Sequence, residues 1–290
     1  MKKSNYLIII SFMILLILSI YSIYCYKKDV DGIMSSLEKT KEECKNSINT
    51  SEDYINYCNE LLNEEYHPNF FSYLTFIIFK MNSYAIILIL FIVTPSLYYL
   101  TSFFKNGIIK NNSTRESYKK TLSKLILNTY KSAIILPIIT LILFIVGYIL
   151  TKDFNIINYE EIIWNKSTVS NPLLFMTLYL LNIIIHSLIF CNIALCIARK
   201  KHNFVSSIIL TFITYIGIEI LLEVGISNLL LNTVFKVNLS PLISILNMMP
   251  FNDSNGIVFP LVTPFIVLLI SYIVIYFMYR DKEKLIIDCN

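Results

Sequence analysis

The chain has 290 residues, of which 56% are hydrophobic and only 15% charged, with a net charge of +4 and a mean hydropathy of +0.63. Soluble domains carry charge on roughly a quarter of their residues, so this composition excludes an ordinary water-soluble enzyme and predicts an all-α integral membrane protein. The positive charge gathers in one connection and no nucleic-acid-binding motif accompanies it, so no nucleic-acid partner is expected.

Crossing a hydrocarbon core of about 30 Å takes roughly 20 mostly apolar residues. Six runs qualify: Tyr6 to Tyr26, Ser83 to Phe104, Ala133 to Leu150, Pro172 to Ala198, Phe204 to Gly225 and Pro260 to Tyr279. Lys2 and Lys3 precede the first run as in a signal peptide. However, the run outlasts a usual apolar h-region, and Tyr24 before Cys25 spoils a small-residue cleavage site, so it reads as an uncleaved anchor.

An outer, extracellular segment, 27–82, follows. Its helix formers and the broken apolar stripe of Ile33, Leu37, Ile48, Ile55, Leu61 and Leu62 predict two short helices, then an aromatic interfacial piece, "NFFSYLTFIIFK". The residues leave open whether this segment is a substrate-facing cap or a solvated linker. Cys44 and Cys58 fall within it, where an oxidising medium allows a disulfide between them or leaves two thiols.

The connection 105–131 holds Lys105, Lys110, Arg115, Lys119, Lys120, Lys124 and Lys131 against one acid, Glu116. Arg199, Lys200 and Lys201 add to the same side, whereas 27–80 carries six Lys against ten Asp or Glu. Basic residues in short connections stay in the cytoplasm, which places both termini there and locates the protein as a multi-pass cell-membrane protein in contact with membrane lipids. Ser113 and Glu116 have the spacing of a capping box, predicting a helix start at Ser113. Downstream, Tyr118, Leu122, Leu125 and Thr129 share one helix face, and Lys120, Lys124 and Lys131 share the other.

Polar groups inside the spans call for a reason, since a charge at mid-bilayer costs roughly 2.5–3.5 kcal/mol on insertion scales. Asn182 and His186 make an i, i+4 pair in the fourth span, and Glu219 and Glu223 another in the outer part of the fifth. Both pairs are candidates for a substrate path. The competing readings are a helix–helix hydrogen bond for the first pair and headgroup water for the second. The interrupted apolar stretch 226–259, with Pro241, Pro250, Asn252, Asp253 and Gly256, predicts short re-entrant helices on the outer side before the sixth span.

No catalytic or metal-binding residues are expected. Glu160 and Glu161 lie outside the bilayer without a suitably spaced arginine, His67 and His202 fall on opposite sides of it, and no HExxH occurs. The whole chain, 1–290, reads as one transmembrane domain without internal repeat.

Gly107, Arg115, Tyr118 and Lys124, spaced G-x7-R-x2-Y-x5-K in the inner connection, together with six spans and an outer re-entrant segment, resemble the permease subunits of type-2 ATP-binding-cassette exporters. The resemblance implies a coupling helix in 105–131 that seats in a separate cytoplasmic ATPase dimer, with Arg115, Tyr118, Lys119 and Lys124 as its contact residues. It also implies a second permease copy or paralogue. The chain holds no GxxxxGK[ST] and needs no cofactor of its own, so ATP and magnesium belong to the partner. Export of a peptide, lipid or drug-like substrate is then the expected function; an antimicrobial peptide would suit the long outer segment. The alternative is a membrane immunity factor, sensor or small channel that works without an ATPase.

Overall fold

No proline and a single glycine interrupt the chain from Lys2 to Asn46, and Lys and Glu are the commonest residues of its second half. One internal glycine costs only about 1 kcal/mol, so nothing stops a helix from running on past the apolar stretch. In the computed structural model, which describes residues 2–46, 52–63, 69–106, 108, 115–152, 172–234, 236 and 259–281, this segment is one helix, α1 (Lys2–Asn46). At 1.5 Å per residue its 45 residues span about 68 Å, more than twice a hydrocarbon core. The expected first outer helix is therefore not a separate element but the far half of α1.

The second outer helix is α2 (Glu52–Asn63), followed by α3 (Phe70–Ser83) and α4 (Ala85–Lys105). Then come α5 (Tyr118–Tyr130), a 3₁₀ turn (Lys131–Ile134) and α6 (Ile135–Thr151). The central helix is α7 (Pro172–Lys200), and α8 (Phe204–Ile220) widens into a π-helix over Leu221–Val234. The last is α9 (Phe259–Tyr279). All regular structure among the described residues is helical.

Five of these helical stretches are long and apolar enough to cross a membrane: Ser4–Asn46, Ile87–Lys105, Tyr118–Thr151, Met176–Lys200 and Leu261–Tyr279. The expected fifth span starts at the observed residue; its α-helical part, Phe204–Ile220, is 17 residues long, and the helix runs on in the wider π winding from Leu221, two residues after Glu219. The expected re-entrant segment coincides with the π-helix up to Val234. From there to Phe259 it lies outside the described residues, Lys236 apart.

A helix apolar on every side belongs in the middle, and α7 is such a helix. It packs against α4, α6, α8 and α9. Ile183, Ile189, Phe190, Cys191, Ala194, Leu195 and Ala198 are all buried along it. The outer helices turn apolar side chains away from this core instead: Ile9 and Ile17 of α1, Ile145 and Ile149 of α6, Ile213 of α8, and Ile270 and Ile273 of α9 are exposed. Such a continuous apolar surface calls for lipid or protein cover.

α1 turns its small side inward. Ser4, Ser11, Ser19 and Ser22 are buried with Leu15 and Tyr26. The hydroxyls of Ser19 and Ser22 donate to the carbonyls of Leu15 and Leu18, at 2.8 and 3.0 Å. Small residues let backbones approach where lipid removes the hydrophobic incentive for helices to associate.

The aromatic piece expected to lie at the interface is α3, and it is packed into the bundle. Phe70, Tyr73, Leu74 and Ile77 are buried, and the Tyr73 hydroxyl donates to the carbonyl of Leu143 on α6 at 3.0 Å. Tyr26 of α1 meets the edge of Tyr73 with ring centres 5.0 Å apart. Gly147 makes this fit possible, because a Cβ there would overlap the Tyr73 ring and lie 3.0 Å from Phe70. With the ring buried and its hydroxyl bonded, Gly147→Ala is expected to cost about 1–3 kcal/mol by overpacking. Thermal unfolding in detergent checks this, and in a Tyr73→Leu background the glycine change is expected to cost little more, as a double-mutant cycle will show.

Candidate functional site

The basic connection becomes a defined surface through α5. Thr121, Leu125 and Thr129 are buried and Tyr118 and Leu122 half-buried, whereas Lys119, Lys120, Lys124 and Lys131 are exposed. The sidedness read from the 3.6-residue period is the one observed. Arg115 stands exposed in the turn before the helix. The cationic face thus comprises Arg115, Lys119, Lys120 and Lys124.

One expectation needs correcting. The helix does not begin at a capping box: it starts at Tyr118, with Ser117 as N-cap making no side-chain cap bond, and Ser113 and Gly107 lie outside the described residues. Glu116 instead takes the Lys124 ammonium on both carboxylate oxygens at 2.7 Å, with Lys120 at 4.0 Å. A charge-assisted bond is stronger than a neutral cap bond. The Lys124 hydrogen bond lowers the Glu116 pKa from the usual carboxylate value, against the opposing effect of desolvation. Lys124 is therefore already paired within the chain.

Tyr118, on the face that the period predicts to be buried, is half-buried against the bundle. Its hydroxyl donates to the carbonyl of Tyr279 at the end of α9, at 2.5 Å. Burial raises its pKa, keeping the phenol a neutral donor. Tyr279 in turn donates to the carbonyl of Leu195 at 2.9 Å and lies under the Arg199 guanidinium, 5.6 Å from the ring centre. Arg199, counted in the sequence as one of three basic residues after the fourth span, is buried here. Sequence reasoning missed this anchor because Tyr118 and Tyr279 lie 161 positions apart and neither belongs to a recognisable pattern.

The cationic helix is also mechanically continuous with a membrane-length helix. Tyr118–Thr151 is one 34-residue rod whose only change of winding is the 3₁₀ turn at Lys131–Ile134. At that turn Ser132 bonds Ser96 of α4, Ser96 donates to the Thr129 carbonyl at 2.8 Å, and Cys191 of α7 lies 3.7 Å from the Ser96 hydroxyl. Beside it the Tyr130 hydroxyl donates to Asn192 Oδ1 at 2.5 Å, and Asn192 Nδ2 donates to Ser271 on α9 at 2.8 Å. The rod is thus pinned to α4, α7 and α9 where it changes pitch.

The other candidates separate. Asn182 and His186 are buried on α7, with His186 Nδ1 2.8 Å from the Asn182 carbonyl. Phe190 lies 6.4 Å from the His186 ring and 4.8 Å from that of Tyr215 on α8. Neither residue lines the cavities at the two ends of the bundle. Glu219 and Glu223 sit on the backbone where α8 becomes π-helical, and their side chains lie outside the described residues. At the end opposite the lysines, Cys44 and Cys58 are joined by a disulfide with Cα atoms 5.5 Å apart, closing α2 against the far half of α1.

No family model matches the chain, and no curated protein or solved structure is significantly similar to it. Its function is therefore argued from this geometry. The anchor and the cationic face make separable predictions for α5. Tyr118→Phe removes one hydrogen bond worth about 1 kcal/mol and is expected to lower the thermal midpoint in detergent. Lys119→Ala and Lys120→Ala, on the solvent face, are expected to leave it unchanged.

Proposed function

We propose that this chain is the membrane-spanning subunit of an ATP-driven exporter, with six spans, both termini in the cytoplasm, and a separate ATPase dimer docked on α5. The observation that carries the proposal is the joining of an exposed cationic helix face, Arg115 with Lys119, Lys120 and Lys124, to a 34-residue rod of membrane-crossing length. Lipid contact asks only for scattered basic residues, each worth roughly 1 kcal/mol near an anionic surface. A sided helix held rigidly against α9 through Tyr118 and Tyr279 is suited to transmit force.

The topology has two supports. Lysine and arginine concentrate at the α5 end, and the disulfide lies at the other, where an oxidising exterior sustains it. On this reading the short helix Phe204–Ile218 and its π extension together make the fifth span, with the outer re-entrant segment following.

The mechanism follows from the rod. When the partner ATPases close on ATP and magnesium, they draw on the lysine face. The pull moves α5 together with α6, and through the Ser96 and Asn192 contacts it reaches α4, α7 and α9. Such a movement is driven only if the ATPase contacts α5 differently in its two states. A second permease copy would complete the outward path, and the cargo is a peptide, lipid or drug-like molecule.

The test is co-purification of the chain with a co-expressed ATP-binding-cassette ATPase from the same genome. Wild type is expected to retain the ATPase, and Arg115→Glu with Lys119→Glu to release most of it. Glu116→Gln is expected to retain it at least as well as wild type, because it frees Lys124 from its internal partner. If wild type never retains an ATPase, the lysines serve lipid contact and the protein works without one.

A further inference from the structure

Where α1 leaves its apolar run, the far half of the helix, α2 and α3 enclose an open cleft of about 740 Å³. That is within the range of roughly 300–1,000 Å³ typical of small-molecule sites. Two features give it chemistry. Lys28, two residues beyond Tyr26, and Lys80, in the last turn of α3, line its base with one acid, Asp29. Neither lysine is in an ion pair with another described residue, and Lys80 stands 5.5 Å over the Phe76 ring.

Above them Ile33 and Leu37 of α1 and Leu61 of α2 give the wall an apolar strip, beside the hydroxyl residues Ser36, Thr40 and Tyr57. At 1.5 Å per residue Ile33 lies about 7.5 Å and Leu37 about 13.5 Å beyond Lys28 along α1. Ile33 is 41% exposed there, although it stands outside the apolar run. Gly32 borders open space, for a Cβ at that position would meet nothing within 4 Å. The disulfide Cys44–Cys58 and the bond from Lys41 Nζ to the Leu62 carbonyl hold α2 over the gap.

We propose that this cleft receives an anionic phospholipid from the adjacent leaflet, its phosphate between Lys28 and Lys80 and one acyl chain raised out of the bilayer against Ile33, Leu37 and Leu61. The net charge of the base selects an anion, and its place immediately after an apolar run puts it at headgroup depth. A phospholipid standing upright in the leaflet would leave the apolar wall wet, so the chain and not only the headgroup is recognised. The inference rests on the membrane reading of α1 but not on the ATPase.

Tryptophan quenching tests it. Trp164 is the sole tryptophan, so a Trp164→Phe background is silent, and Ile17→Trp, Ile33→Trp or Ser35→Trp is added singly. The protein is placed in phosphatidylcholine nanodiscs containing phosphatidylglycerol, with bromine on the acyl chains of one lipid or the other. Quenching of the Ile33→Trp protein is expected to be at least twofold stronger with brominated phosphatidylglycerol than with brominated phosphatidylcholine. Lys28→Gln with Lys80→Gln is expected to abolish that excess, while the Ser35→Trp protein, on another face of α1, stays unquenched. Equal quenching by the two lipids, or quenching of Ile33→Trp no greater than of Ser35→Trp, overturns the proposal. If the Ile17→Trp protein also escapes quenching, the membrane reading itself falls, a result separable from failure at the cleft alone.

Discussion

The fold depends on satisfying hydroxyls in an interior without water. Ser96, Ser132, Thr129 and Cys191 meet where α4, the α5–α6 rod and α7 converge, and every one of them is buried or in the buried core. A polar group stranded there forfeits its bonds to water, at a cost of roughly 1–3 kcal/mol. The three elements must therefore come together in one register or pay for several such groups at once. In lipid, where apolar side chains are as well solvated by tails as by each other, this requirement also does what hydrophobic burial does in water. It explains why α1, exposed along one face, has a serine stripe on the other.

Much of this was legible in the sequence, for reasons of period and length. Apolar runs near 20 residues located four of the long helices to within a few residues, and the 100° step between residues sorted α5 into a buried and a cationic face. The places where reading failed are those where two local rules compete. The far half of α1 contains polar helix formers and one glycine, which predict a helix but not its fusion with the preceding span. Glu116 sits at a spacing that suits a capping box and also within reach of Lys124 eight residues further on, and the ion pair prevails. Tyr118 belongs to the half-buried edge of α5 by its period, yet its partner is the last residue of α9, which no local pattern reveals.

The serine stripe of α1 had a signal that went unused. Ser4, Ser11, Ser19 and Ser22 fall on one side of a long apolar helix, and small residues at such spacing mark close helix contact. Gly147 likewise marks a close approach, since a glycine inside an apolar helix costs stability unless something fills the space its side chain leaves. Here the Tyr73 ring fills it. The π winding at Leu221 has no comparable sequence cause among the described residues.

The same contacts join the two ends of the molecule. α5 and α6 are one rod, so a displacement at the lysine face moves α6 along or about its axis. Gly147 lies near the far end of that rod, pressed against Tyr73, and the Tyr73 hydroxyl is bonded to Leu143 on the same helix. α3 therefore cannot slide over α6 without breaking both a bond and a tight fit, and it is obliged to follow. Seven residues after Tyr73, α3 carries Lys80 into the cleft, whose opposite wall is α1. Since interfaces of this tightness have discrete arrangements and not a continuum, a shift of the rod changes the cleft by steps. A packed and hydrogen-bonded route thus runs from the cationic face to a cleft where the chain offers positive charge beside exposed apolar side chains, and spatial continuity of this kind is a route by which the two ends can be coupled.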